Sequence, residues 1–301
     1  MRGAAGELGG LAGLEHEVVV LVGGAAAGLS AALVLGRARV RTLVVHAGEP
    51  SNRSAPAIGG LLGQDGTSPD QLYAAGREQL TELPAVELRE GVVTGIEPAA
   101  TFRATLAGGE TIAAARILIA GGMRYGVPEV PGLSELWGDS AFMCPYCHGW
   151  EHRDQRIAIL GGAGAAHRVA LLRSWTSDLV VLADGEPTDE LGDIPVDERP
   201  VASVAPGVVR FADGGALEID ALHVVAPMSP RDGLVAGLGL ETTDSQQGTG
   251  IAVADRFGAT SAPGVFAAGD AAGAGNVAAA IATGSLAATG LHRSLVLPED
   301  A

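Results

Sequence analysis

The apolar positions of this chain fall into three runs with one shared grammar. Each is a short block of Val, Ile, Leu or Phe, then a glycine-rich turn, then a stretch of small or aliphatic residues that reads as a helix. The first is EVVVLVGGAAAGLSAALVLG, Glu17 to Gly36. A strand over Val18 to Val22 enters Gly23-Gly24-Ala25-Ala26-Ala27-Gly28, and an Ala/Leu helix follows. A further strand, RTLVVHAGE, comes next, so the segment predicts a β-α-β unit. The second run, RIAILGGAGAAHRVALLRSW, spans Arg156 to Trp175 and leads to another strand, DLVVLADG. The third, GVFAAGDAAGAGNVAAAIATGSLAA, spans Gly264 to Ala288. Its short strand ends in Gly269-Asp270, and a small-residue helix starts near Asn276.

The turns carry the first chemical hint. Their spacing is that of a dinucleotide-binding G-x-G-x-x-G, in which the first glycine permits the turn and the last lets helix and strand pack closely. The helix N-terminus then offers free N–H groups to a pyrophosphate. Gly23 and Gly28 fill the first and last places of the first unit, with Ala25 in the middle. Gly161, Ala163 and Ala166 fill those of the second. One such match is weak evidence; two in one chain, followed by a strand ending in Gly-Asp, are far more specific. The fold class expected is α/β, with two Rossmann-like units.

Composition narrows the function. The chain has 301 residues, 47% of them apolar, enough for one large or two ordinary domains. Its 45 glycines suit close helix–sheet packing and phosphate turns. A net charge of −16 repels phosphate backbones and anionic membranes, and 4% aromatics argue against base stacking, so no nucleic acid and no membrane partner is expected. NVAAAIATGSLAATGL, Asn276 to Leu291, is too short and too rich in Ala, Gly, Thr and Ser for a membrane span. Residues 1–14 read as a disordered tail, since the N-terminus has Glu7 and no apolar block.

Both cysteines lie in MCPYCHGWE, at Cys144 and Cys147. A zinc site would need about four ligands. Cys144, Cys147, His148 and His152 are local, but His148 directly follows Cys147 and there is no second CxxC, so no metal is expected. A structural staple closing so short a loop removes little chain entropy. The reading taken is a catalytic dithiol, whose sulfurs fall within bonding reach at the start of a helical turn, where a thiolate is favoured. His148 is the candidate to take and return the thiol proton; His152 and His167 read as surface residues.

The order of these features, with IAGG (Ile119 to Gly122) before the CxxC and GVFAAGD near the end, resembles the low-molecular-weight thioredoxin reductases over nearly the whole chain. These are FAD-dependent pyridine nucleotide-disulfide oxidoreductases. CPYCHGWE together with GEPSN stands closer to a thioredoxin-reductase-like branch that includes the dithiol oxidases of gliotoxin- and holomycin-type pathways. The resemblance implies a cytoplasmic homodimer with an FAD-binding domain in two segments, 15–122 and 243–301. An inserted NAD(P)-binding-like domain, 123–242, would carry the CxxC, with MRYGVPEVPG as the first crossing. It implies FAD contacts from Gly23, Ala25, Ala26, Gly28, His46, Glu49, Asn52, Val93, Ala120, Gly121, Gly269, Asp270, Val277 and Ala278, with Asp270 accepting from a ribityl hydroxyl. It also implies that Cys147 faces the flavin and Cys144 the substrate. The chain departs from the family pattern at three places: His46 replaces the usual ribose-binding acid, with Glu49 nearby as a substitute; IAGG replaces Ala-Thr-Gly; and Gly59 stands where a His is common.

Family members run electrons in either direction. NADPH selection needs Arg or Lys just beyond the second strand of the second unit. Here the segment reads VVLADGEPTDELGD, with Asp184, Glu186, Asp189 and Glu190 and no base. The expectation is therefore an FAD-dependent dithiol oxidase that forms an intramolecular disulfide in a small molecule and passes electrons to O2, giving H2O2. The alternatives are a thioredoxin-disulfide reductase using NAD(P)H or ferredoxin, with a thioredoxin-like protein as partner, and a non-catalytic flavin-binding redox sensor.

Overall fold

The computed structural model describes residues 18–98, 101–231, 233–245 and 248–297; the tail expected over 1–14 lies outside them. From the N-terminal side, β1 (Val19–Val22), α1 (Ala26–Arg37), β2 (Thr42–His46), α2 (Pro69–Thr81) and β3 (Val86–Glu90) follow one another. An antiparallel ribbon of β4 (Val93–Pro98), β5 (Phe102–Leu106) and β6 (Thr111–Ala114) intervenes before β7 (Arg116–Ile119) returns beside β1. The chain crosses through β8 (Met123–Tyr125) and α3 (Leu133–Leu136) to β9 (Ala141–Phe142) and α4 (Pro145–His148). Next come β10 (Ile157–Leu160), α5 (Ala165–Leu172), β11 (Leu179–Leu182) and β12 (Val196–Asp197). A second antiparallel ribbon, β13 (Val201–Ala205), β14 (Val208–Phe211) and β15 (Ala216–Glu218), precedes β16 (Ala221–His223). The return runs through β17 (Met228–Pro230), α6 (Leu234–Gly237), β18 (Thr242–Ser245) and β19 (Gly248–Ile251). Finally β20 (Val265–Ala267), a 3-10 turn (Gly269–Ala272) and α7 (Val277–Val296) complete the described chain.

Two five-stranded parallel sheets result, ordered β20-β7-β1-β2-β3 and β12-β11-β10-β16-β9. Each has its glycine-turn strand, β1 or β10, between the strand that follows the helix and the strand that follows the ribbon. The two units are thus the same plan built twice. β20 pairs with β7 in the register Val265↔Ile117, which brings the late segment back into the first sheet. Strands β8, β17, β18 and β19 form a separate four-stranded sheet at the two crossings. Among the described residues no helix is long and apolar enough to cross a membrane.

The burial explains why β1 and β10 read as unbroken apolar blocks. Val19 and Leu21 face one core, Val20 and Val22 another, and all four are buried. Ala158 and Leu160 divide from Ile157 and Ile159 in the same way. A parallel strand covered on both faces has no position to spare for a polar residue. The Ala/Gly richness is explained by α1 and α7, which pack so closely that a methyl at Gly284 would overlap the Ala27 carbonyl. Ser30 Oγ donates to the Ile281 carbonyl across this contact at 2.8 Å. α1 starts at Ala26, inside the turn predicted from sequence, because alanines there extend the helix.

Candidate active site

The CxxC follows directly from β9, the edge strand of the second sheet. Cys144 is the N-cap of α4 in extended geometry, and Pro145 fits the first helical position. The Cys147 and His148 N–H groups both donate to the Cys144 carbonyl at 3.2 Å, folding the two sulfurs together. They form a disulfide with a Cα–Cα distance of 5.3 Å. The other unit reaches over to hold this turn. A methyl at Gly59 would overlap the Cys147 carbonyl, and one at Gly138 would overlap Ser54 Oγ. Ser51 Oγ donates to the Met123 carbonyl at 3.3 Å. The loop after β2 is therefore a strap across the CxxC unit, and Gly59 is where it must be thin.

Phe142, just before the CxxC, sits among three histidines. His148 stacks on it at 5.8 Å, His152 at 5.4 Å, and His223 meets its edge at 5.6 Å. Neither ring nitrogen of His148 has a hydrogen-bond partner. Burial lowers its pKa; the carbonyls of Cys144 and Gly138, near but outside hydrogen-bond geometry, and Glu151 oppose the shift. His148 is thus held in the neutral, proton-accepting form at neutral pH. His152, expected at the surface, is half-buried in this stack and bonded to Gln155 and the Asp139 carbonyl. His167 is exposed. His223, which sequence reasoning did not single out, is buried, and its Nε2 is 2.9 Å from the Met143 carbonyl. Since a carbonyl can only accept, Nε2 carries the proton; Nδ1 is buried without a partner. Burial, with the nearby Arg168 charge, pushes its pKa down to about 4.

Several of the residues expected to hold FAD come together at the C-terminal end of the first sheet. Gly23, at φ +116, lies against the Ala120 carbonyl and the Gly121 nitrogen. A methyl at Gly28 would overlap the Gly23 carbonyl, and one at Gly24 would meet His46 Cβ at 2.7 Å. Gly269 (φ +72) abuts Ala27. No side chain caps α1 at Ala25, leaving first-turn N–H groups, Ala26 among them, for an anion. Asp270 has its carboxyl pKa raised by burial, and Tyr125 Oη donates to it at 3.5 Å. Burial first, then the Asp270 charge, raises the Tyr125 phenol and keeps it the donor. Asn52 Oδ1 accepts from Tyr73 Oη at 3.0 Å. Asn276 caps α7 through the Ala279 N–H, placing Val277 and Ala278 in its first turn. Glu49 is exposed beyond β2. Val93 has its side chain in the core, which leaves only its main chain to meet a ligand. A cradle that a single Cβ would fill, uncapped N–H groups and a half-buried acid with one phenolic donor together fit FAD.

The second glycine turn is furnished differently. Arg168, buried beneath it, donates to the carbonyls of Leu160 (2.6 Å), Gly161 (2.5 Å) and Ala163 (2.8 Å). Glu186 Oε2 accepts from the Ala163 N–H at 3.3 Å and Asp189 Oδ2 from the Ala166 N–H at 3.1 Å. Asp184 turns away and accepts from the Val201 N–H at 2.7 Å.

The sequence profile of the pyridine nucleotide-disulphide oxidoreductase family matches residues 17–187. The thioredoxin reductase tcpT of Claviceps purpurea is 29% identical over 276 residues, 83% of this chain and 85% of the relative. The crystal structure of the oxidoreductase from Agrobacterium tumefaciens superposes with a TM-score of 0.88 at 33% identity, covering 93% of this chain and 98% of the other. The crystal structure of HlmI gives a TM-score of 0.85 at 35% identity, covering 93% and 92%.

Proposed function

The chain belongs to the pyridine nucleotide-disulphide oxidoreductase family as a flavin-dependent, thioredoxin-reductase-like enzyme with FAD as its cofactor, and from that premise we propose that it is a dithiol oxidase. The observation that carries this reading is the acidic segment after β11. The segment from Asp184 to Glu190 carries four acids and no Arg or Lys at the point of the chain where an NADPH-dependent enzyme needs a cation for the 2′-phosphate. At ~7 Å and an effective dielectric near ~20, each like-charge pair costs about 2 kcal/mol before screening. A few such pairs weaken binding by orders of magnitude, since ~1.4 kcal/mol is tenfold.

In this reading the FAD domain comprises 15–122 and 243–301, with 123–242 inserted. Gly23 to Gly28, Ala120, Gly121, Gly269 and Asp270 hold the cofactor. At the cysteines two thiol–disulfide exchanges follow one another. A thiolate of a small dithiol attacks Cys144 Sγ, and the bond to Cys147 breaks, leaving Cys147 as the thiolate. The second substrate thiol, its proton taken by neutral His148, attacks the mixed disulfide and releases the cyclic disulfide, leaving Cys144 reduced. Two electrons have passed from substrate to the protein; one thiol proton is on His148, and the other went to solvent when the attacking thiolate formed. FAD bound there would supply the two-electron acceptor for the reduced pair, with O2 as the terminal oxidant and H2O2 as the product. A reductase acting on a thioredoxin-like protein is the second reading, favoured by the name of the Claviceps relative.

The two separate in an anaerobic experiment. Oxidised holoenzyme mixed with a small dithiol is expected to bleach rapidly, and with NADPH barely at all; H2O2 forms when air is admitted. Fast, saturable bleaching by micromolar NADPH would promote the reductase.

A further inference from the structure

The segment after β11 does more than repel a 2′-phosphate. In a working dinucleotide unit, the N–H groups of the turn and of the first helical residues receive the pyrophosphate. In the second unit those donors already have anionic partners from the same chain: Ala163 N–H bonds Glu186 and Ala166 N–H bonds Asp189. The space above the turn is also filled. A methyl at Gly162 would meet the Pro187 carbonyl at 2.5 Å and Thr188 Cγ2 at 2.9 Å, and one at Gly161 would meet Glu186 Oε2 at 3.2 Å. From below, the buried Arg168 guanidinium donates to the carbonyls of Leu160, Gly161, Ala163 and Gly164 and places a positive charge under the two carboxylates. The first turn, built on the same plan, shows no carboxylate on its N–H groups among the described residues; its close neighbours are Ala120, Gly121 and His46.

We propose that Glu186 and Asp189 are internal ligands of the second glycine turn, occupying the place of a dinucleotide pyrophosphate and closing this unit to NADH and NADPH alike. Repulsion of a 2′-phosphate excludes only NADPH; the plugged turn excludes the part that both dinucleotides share. The inference deepens the dithiol-oxidase reading and rests on it for its functional meaning: with this unit closed, electrons enter through Cys144 and Cys147. The two residues act as specificity determinants through what they deny.

The test is a calorimetric titration of FAD-loaded enzyme with ADP-ribose and with NADH, comparing wild type, Glu186→Ala/Asp189→Ala and Glu190→Ala. Wild type and Glu190→Ala are expected to show no saturable binding up to millimolar ligand. The double variant is expected to gain ADP-ribose affinity by at least about tenfold, because each charged hydrogen bond it removes competes with the ligand. Micromolar binding to wild type, or a folded double variant no better than wild type, would overturn the proposal. Amide hydrogen exchange needs no variant: Ala163 and Ala166 N–H are expected to be protected in wild type, and fast exchange at both would equally overturn it. Dithiol-driven oxygen uptake on the same preparations is expected to be unchanged in the double variant. Its absence from wild type would sink the oxidase reading and leave the closed turn standing.

Discussion

Lowering the pH from 7 to 5 is expected to destabilise this protein by about 2 kcal/mol through one side chain, His223. Its ring is buried, donates from Nε2 to the Met143 carbonyl and has no partner for Nδ1. Folding therefore lowers its pKa from the ordinary 6.5 to about 4. With that direction the folded state binds fewer protons than the unfolded one between those values. The stability is fully present above about pH 7, falls as the pH drops through 6.5, and stops falling below about pH 4. The whole shift corresponds to about 3 kcal/mol at ~1.36 kcal/mol per unit, of which about 2 kcal/mol is lost between pH 7 and 5. Other groups also titrate there, so the measurement is a difference. His223→Gln keeps an N–H for Met143 but cannot take up the proton. Denaturant unfolding of both proteins, saturated with FAD and followed by fluorescence at pH 7, 6 and 5, should show the variant losing about 2 kcal/mol less than wild type. Parallel stability-versus-pH lines would refute the argument. Because Met143 directly precedes Cys144, acid loosening at His223 would reach the disulfide as well.

Other expectations follow from the site. Cys147→Ser should abolish dithiol-driven flavin bleaching, and Cys144→Ser should abolish turnover while leaving an alkylatable thiol at Cys147; full turnover by Cys144→Ser would reverse the assignment of the two sulfurs. His148→Ala should lower the rate about tenfold or more and flatten its pH dependence near and below neutrality; an unchanged profile would make the ring a packing element only. Gly59→Val should slow anaerobic bleaching by a dithiol at least about tenfold, because its side chain collides with the Cys147 carbonyl. Near-wild-type bleaching in that variant would mean the strap does not set the position of the CxxC.

What was legible in the sequence was what is local. Val18 to Gly28 and Arg156 to Ala166 announce strand, turn and helix within a dozen residues, and the CxxC between the two units set the family resemblance. The paired parallel sheets follow from those blocks. What was not legible depends on residues far apart. His223 is an ordinary strand-end residue until β16 pairs with β9 and brings it to Phe142 and Met143. Gly59 looked like a departure from a family pattern; its meaning appears only when the Cys147 carbonyl lies against it. His152 follows a turn that reads as exposed, yet Phe142 offers its ring a flat apolar face. The acids after β11 were expected near a 2′-phosphate, but loop conformation sends Asp184 to Val201 and brings Glu186 and Asp189 back over the turn.

The return of β20 to the first sheet also orders the birth of the molecule. Every strand of the second sheet lies between Ala141 and His223, so that sheet can close as soon as this stretch has been synthesised. The first sheet starts earlier but finishes later. It waits for Val265–Ala267 beside β7 and for α7, whose Ala/Gly face fits directly onto α1. Contacts between segments so far apart in sequence are slow to form, and the chain is made from its N-terminus. The nascent protein therefore completes its thiol-bearing unit first and its cofactor cradle last, with Gly269 and Asp270 arriving among the final pieces. Until then the cradle that fits FAD is half built, and the finished CxxC stands apart from any flavin.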